Sequence, residues 1–226
     1  MPAISPVEEG TPDQDLLRRI GRKVRKRLVA NKAVQRIATD KAELWVMDRF
    51  FDEIECGRLV SMIDAVARPS TAYAHIDDIG VRTSHSGDLN PFDPFVRELE
   101  QRIDTLLGLD HGTGEMLQGQ RYMPGQYFKP HIDWFPPGSP GWQRESVRGG
   151  QRALTAMVYL NAVAEGGETD FPELDIALRP SPGALLVWNN ADENGVPNRH
   201  TVHSGNPVLR GTKYIVTKWY RCRRWR

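Results

Sequence analysis

The chain has no run of eighteen apolar residues, so no segment of it reads as a membrane-spanning helix. Cysteine is scarce. Cys56 and Cys222 are too few for a disulfide framework or for a four-ligand structural zinc site. Two free thiols and a reducing, cytoplasmic setting are the reading this supports. The opening stretch MPAISPVEEGTPDQD lacks the basic start and apolar continuation of a secretory signal. No internal repeat is visible, which argues against a solenoid or propeller. Neither sign of charge dominates, since 30 Lys and Arg face 29 Asp and Glu.

What is present is an ordinary globular composition, 39% hydrophobic and 26% charged. A length of 226 residues suffices for one full core. The near-zero net charge hides an uneven distribution. Arg18 to Arg27 is strongly basic, and so is the tail from Arg221 to Arg226. Such ends offer an anionic partner (nucleic acid, lipid or an acidic protein) a place to dock. The simpler reading is a solvated helix face and a frayed tail. Residues 1–12 read as disordered. From 13 to 38 the pattern is helical, with Leu17, Ile20, Val24 and Leu28 forming one apolar stripe. We divide the chain into a basic, partly helical arm over 1–40 and a domain over 41–226.

Within the domain, Leu44 to Met47 predicts a strand, Glu53 to Ala67 a helix, and Phe95 to Leu107 a second helix after a Pro91–Pro94 turn. Strands dominate from there: Arg152 to Leu160, Ala184 to Trp188 and Lys213 to Tyr220, punctuated by Pro-Pro-Gly, Ser-Pro-Gly and Gly-Asn-Pro. Supporting helices followed by many short strands predict an α+β fold around a double-stranded β-helix, the jelly-roll or cupin architecture.

The segment Tyr122 to Asp133, YMPGQYFKPHID, carries the chemistry. Side chains two apart on a strand share a face, so His131 and Asp133 can reach one ion while Ile132 points away. Imidazole and carboxylate together suit a borderline divalent metal. Two histidines and one carboxylate on one face of an octahedron leave the other positions open, the arrangement of non-haem iron(II) oxygenases. His200 and His203 are the candidates for the third ligand, and their spacing allows only one of them. His203 is preferred because Lys213 follows across a Gly205-Asn206-Pro207 turn and can return to the same cavity. A buried cation there suits the far carboxylate of a dicarboxylate. Alone, a His-x-Asp pair is a common surface feature and Lys213 an ordinary surface lysine.

These residues resemble the prolyl 4-hydroxylase family of iron(II)- and 2-oxoglutarate-dependent dioxygenases. YMPGQYFKPHIDWF (122–135), GGQRALTAMVYL (149–160), EGGETDFPE (165–173), PSPGALLVW (180–188) and HSGNPVLRGTKYIVTKW (203–219) are similar to family blocks in the same order. Arg82-Thr83-Ser84 is similar to the family's loop ahead of the core. The resemblance covers roughly 42–222 and makes 41–226 the catalytic domain. It implies iron(II) on His131, Asp133 and His203, with Lys213, Thr169, Tyr122 and Tyr159 around 2-oxoglutarate. It implies Arg152, Trp219 and Arg82 as contacts to a peptide or protein substrate. The implied reaction consumes dioxygen, with ascorbate as a possible accessory. It hydroxylates a prolyl residue and yields succinate and carbon dioxide, with no catalytic protein group beyond the metal centre.

Other roles stay open at this point. Tyr159 and Trp219 also suit plain core packing, Thr169 a turn cap, and Glu168 a structural role. His75, His85 and His111 read as solvent-exposed. One departure stands out: Phe128 occupies the place of a family tyrosine, which removes a hydroxyl near the substrate channel and leaves substrate identity open. A relative acting on a non-prolyl side chain or a small molecule, and a non-enzymatic metal-binding cupin, are the alternatives. The Pro- and Gly-rich stretch Trp134 to Arg148 reads as a mobile lid.

Overall fold

The structure is a computed structural model and describes residues 12–70 and 81–225. The expectations for the N-terminal dozen residues, Pro12 aside, and for His75 lie outside the described residues.

In chain order the main helices are α1 (Gln14–Ala30), α2 (Glu53–Val66), α3 (Pro94–Leu107) and the short α4 (Pro140–Glu145). The first strands are β1 (Gln35–Arg36), β2 (Leu44–Met47), β3 (Arg68–Pro69), β4 (His85–Asp88), β5 (Gln118–Tyr122), β6 (Phe128–His131) and β7 (Arg152–Tyr159). There follow β8 (Glu165–Gly166), β9 (Thr169–Phe171), β10 (Ile176–Leu178), β11 (Leu185–Asn189), β12 (His203–Gly205), β13 (Val208–Arg210) and β14 (Lys213–Arg221). Helix boundaries follow local chemistry. Asp52 and Glu55 form a reciprocal capping box on α2. Asp93 caps α3, Pro94 occupies its first turn, and Gly108 ends it in the left-handed conformation.

Eight strands form the major sheet, in the order β1-β2-β11-β7-β14-β5-β4-β3, and four form a minor sheet, β10-β9-β12-β6. All their pairings are antiparallel. Two facing antiparallel sheets are the double-stranded β-helix architecture expected of the chain. The alternation of β7 divides its work between the layers. Leu154, Ala156 and Val158 join the core shared with Leu17, Val24 and Leu28 of α1, Leu59 and Ile63 of α2, and Leu99 and Ile103 of α3. Met157 and Tyr159 turn the other way, into a second cluster with Tyr122, Phe171, Trp188 and Ile215. Helices thus cover one face of the major sheet, and the minor sheet covers the other. At Gly119 in β5 any side chain would strike Ile63 of α2, so a glycine lets helix and sheet touch there.

The basic helix does not stand apart. Leu17, Val24 and Leu28 are at most 2% exposed, and Arg27 donates to the carbonyls of Thr105 and Leu106 at the end of α3. Arg19, Arg22, Lys23 and Lys26 face solvent on its outer side. The helix is shorter than its sequence pattern, ending at Ala30 and not near residue 38. Asn31 turns the chain, its side-chain oxygen accepting from the Ala33 amide at 3.0 Å, and Gln35 and Arg36 then pair with β2. Because the stripe is part of the core, Leu28→Ala should destabilise the whole domain by about 2–5 kcal/mol. Urea unfolding followed by tryptophan fluorescence measures this. An unchanged midpoint would mean that the helix is peripheral.

Candidate active site

The two sheets converge on a cluster at one end of the minor sheet. β12 and β6 pair antiparallel with His203 opposite His131, which sets their ring centroids 4.2 Å apart. Asp133 lies just past β6 and is 5% exposed. One ligand atom from each of His131, Asp133 and His203 lies within 4.8 Å of the other two. This is the only such group among the described residues.

The hydrogen bonds assign the histidine tautomers. Nδ1 of His131 is 2.9 Å from the Lys129 carbonyl, and Nδ1 of His203 is 3.0 Å from the Thr201 carbonyl. A carbonyl only accepts, so each Nδ1 carries a proton and Nε2 is the nitrogen left to face a metal. Metal-binding imidazoles are oriented in this way. Burial, and then the neighbouring His203, push the His131 imidazole down to about 3, so it is neutral at any ordinary pH. Burial works against ionisation of Asp133, yet His203, Arg152 and His131 together with the Thr155 hydroxyl hold its carboxyl below the usual range. Thr155 donates to Asp133 Oδ2 at 2.7 Å. Two neutral imidazoles and one carboxylate are the donor set of an iron(II) facial triad. On this chemistry the residues fit iron.

The cavity beside the triad is lined by Arg82, Gln120, Tyr122, Phe128, Thr155, Met157, Thr169, Trp188, Lys213, Ile215, Thr217 and Trp219. Four of these, Lys213, Ile215, Thr217 and Trp219, alternate along β14. Lys213 is 2% exposed and has no carboxylate in ion-pair contact among the described residues. Its ammonium lies 3.4 Å from the Thr169 hydroxyl and about equally far, 5.5 and 5.6 Å, from the Tyr122 and Tyr159 rings. Burial pushes it down to about 7, with Glu168 working against the shift. Tyr122 donates to Gln120 at 3.0 Å, and Gln120 donates on to Thr217 at 3.1 Å.

Of the expected substrate contacts, Arg82 and Trp219 line the cavity and Arg152 does not. Arg152 lies behind Trp219, its guanidinium 4.0 Å from that ring. It is bound in bidentate fashion by Glu115 at 2.6 and 2.8 Å and lies 3.8 Å from Asp133. His200 lies in a short 3-10 turn and is not part of the ligand group. His111, expected in solvent, hydrogen-bonds Asp104 at 2.7 Å, and His85 lies beside Gln126 at 3.3 Å. The stretch expected as a mobile lid is anchored. Trp134 and Phe135 are buried, Gln151 bonds both backbone groups of Phe135, and Arg221 holds Glu145 at 2.7 Å. Thr155, Gln120, Thr217 and Trp188 were not anticipated. Thr155 had a signal, because it shares strand parity with Met157 and Tyr159.

Comparison with known proteins agrees with this geometry. Residues 117–221 match the family model described as the 2OG-Fe(II) oxygenase superfamily. The protein is therefore a 2-oxoglutarate-dependent iron(II) oxygenase, using dioxygen. Within that superfamily the chain belongs to the prolyl 4-hydroxylase family. It is 31% identical to probable prolyl 4-hydroxylase 4 of Arabidopsis thaliana over 80% of this chain and 68% of that one. It is 29% identical to prolyl 4-hydroxylase 2 of the same plant, over 84% and 71% of the two chains. Among solved structures, the viral collagen prolyl hydroxylase of Paramecium bursaria Chlorella virus-1, in complex with 2-oxoglutarate, superimposes with a TM-score of 0.61 at 28% identity. That match covers 78% of this chain and 94% of the viral one.

Two outcomes are expected. Thr155→Val, which removes the donor to Asp133, should weaken iron affinity by about 10–100-fold. Anaerobic iron titration reads this, and unchanged affinity would separate Thr155 from the centre. The second concerns pH. With Lys213 at about 7 in the ligand-free protein, the ammonium is present below that pH and lost above it. Binding an anion then requires proton uptake. Affinity for 2-oxoglutarate should fall as pH rises above 7, approaching about tenfold per pH unit. Lys213→Arg should flatten this dependence, because a guanidinium keeps its proton. Calorimetry in buffers of differing ionisation enthalpy tests it, and a pH-independent affinity would contradict it.

Proposed function

We propose that this oxygenase hydroxylates a prolyl residue in a peptide or protein, with iron on His131, Asp133 and His203 and 2-oxoglutarate anchored by Lys213. The observation that carries the residue assignment is the convergence of the triad with a buried, carboxylate-free lysine in one cavity. Bound there, iron(II) supplies dioxygen activation coupled to decarboxylation of 2-oxoglutarate to succinate and carbon dioxide, which places a hydroxyl on a C–H bond. The chain's own residues supply position and dryness. The Lys213 ammonium and Thr169 hydroxyl hold the far carboxylate, while Tyr122 and Tyr159 wall the lysine from water. Trp188 packs edge-on against His203 at 4.8 Å and holds that ring in place. Arg82 and Trp219 lie at the cavity where a substrate chain would pass. No described side chain is needed as a general base.

The choice of prolyl over another side chain is supported by the relatives, each named as a prolyl hydroxylase. Phe128 is the feature that favours the alternative of a non-prolyl target. Proline-rich peptides, set against free amino acids with succinate as readout, decide between them. Turnover that requires the prolyl peptide is expected. His131→Ala and Asp133→Ala should each abolish peptide-dependent succinate formation. Full activity in either variant would remove that residue from the ligand set.

A further inference from the structure

We infer that Arg82 is an anion receptor at the mouth of the cavity and that the preferred substrate is a peptide carrying a carboxylate next to the residue that is hydroxylated. The inference deepens the proposed function and relies on it for the iron and 2-oxoglutarate in the cavity.

The placement of Arg82 comes from the backbone. Residues 81–83 run alongside β6: Lys129 donates to the Val81 carbonyl at 2.9 Å, and the Thr83 amide donates to the Tyr127 carbonyl at 3.0 Å. Arg82 thereby bridges Phe128 directly. Its Nε donates to Ser84 Oγ at 2.8 Å, which fixes the plane of the guanidinium. That plane lies 4.9 Å from the centroid of the Phe128 ring, and Phe128 stacks on His131 at 3.6 Å. The guanidinium is thus held one ring away from a metal ligand, and its charge is felt at His131. Nη2 is buried and finds no acceptor among the described residues. A buried donor left unmade is costly, and an incoming acceptor relieves it.

Charge decides which acceptor suits it. The charged side chains lining the cavity are Arg82, Asp133 and Lys213. Both histidines would ligate a metal as neutral rings, each with Nδ1 against a backbone carbonyl. Iron(II) and the 2-oxoglutarate dianion cancel, and Asp133 and Lys213 cancel. Behind the lining, Arg152 and Arg221 are answered by Glu115 and Glu145, and Glu168 acts on Lys213. Arg82 is the cation left without a counter-charge among the described lining residues. A tyrosine at 128 would add a neutral hydroxyl beside this guanidinium. Phenylalanine leaves an apolar ring beside the guanidinium and offers the buried Nη2 no local acceptor. A carboxylate on the substrate, from an Asp or Glu side chain or from a chain terminus, completes the set with a charge-assisted bidentate bond.

The test uses the full chain loaded with zinc in place of iron, together with 2-oxoglutarate, so that binding is read without turnover. Fluorescently labelled proline-rich peptides carry Asp beside the proline, or Asn at that position, each with a free or an amidated C-terminus. The carboxylate-bearing peptides should bind about 10–100-fold more tightly than their amide twins. Comparison of the two kinds of carboxylate tells a side-chain source from a terminal one. In Arg82→Gln the preference should vanish while 2-oxoglutarate affinity holds, and Arg82→Lys should keep part of it. Equal binding of acid and amide peptides to the native protein would overturn the inference, as would a preference that survives Arg82→Gln. A matched set with alanine for proline keeps the two claims apart. Acid preference that is undiminished with alanine in place of proline would sink the prolyl assignment and leave the Arg82 receptor standing.

Discussion

The antiparallel pairing of β6 with β12, in the register that sets His131 against His203, is the constraint on which the rest depends. It places two imidazoles side by side. Each ring then bonds through Nδ1 to the carbonyl two residues before it, Lys129 within β6 and Thr201 in the 3-10 turn ahead of β12. One local device, used twice, turns both Nε2 atoms toward the same point. Asp133, two residues past His131, shares its face and completes the set. A slip of one residue in this pairing would carry one ring to the opposite face and dissolve the site.

The two buried lysines of β14 show how one strand serves both stability and chemistry. Their odd separation places them on opposite faces. Lys218 turns to the helices, where Glu100 at 2.9 Å and Asp104 at 3.3 Å neutralise it. It ties α3 to the sheet as one buried cation between two carboxylates, which its removal would leave stranded. Lys213 turns to the cavity and meets only a hydroxyl and two aromatic rings. Among the described residues no carboxylate lies in ion-pair contact with it, which is the signature of a group waiting for a ligand. Arg82 repeats that condition at the mouth of the site.

Much of this was legible in the sequence, for identifiable reasons. α2 and α3 carry strong end signals, Asp52 with Glu55 and Asp93-Pro94 with Gly108, and their limits fall within a residue of those predicted. β2 and β7 follow from short β-rich runs, and β14 from its alternation. His131 and Asp133 come from strand parity alone. Selecting His203 over His200 came from Lys213, which follows across the Gly205-Asn206-Pro207 turn. The helix end at Ala30 was missed because the apolar stripe fades gradually while Asn31 breaks the backbone abruptly. The anchored stretch after Asp133 was missed because Pro and Gly announce a loop, whereas its fixation comes from Gln151 and Arg221, distant in sequence. The pairing of Arg152 with Glu115 was not legible either, because no local pattern joins residues so far apart in sequence.

The most direct measurement of the central claim is anomalous diffraction at the iron edge from crystals grown without oxygen in iron(II) and 2-oxoglutarate. The account predicts one iron bound by Nε2 of His131, Nε2 of His203 and a carboxylate oxygen of Asp133, with the far carboxylate of 2-oxoglutarate on Lys213. Iron bound through Nδ1, bound to any other residue in place of one of these three, or with its remaining positions filled by protein atoms would contradict it.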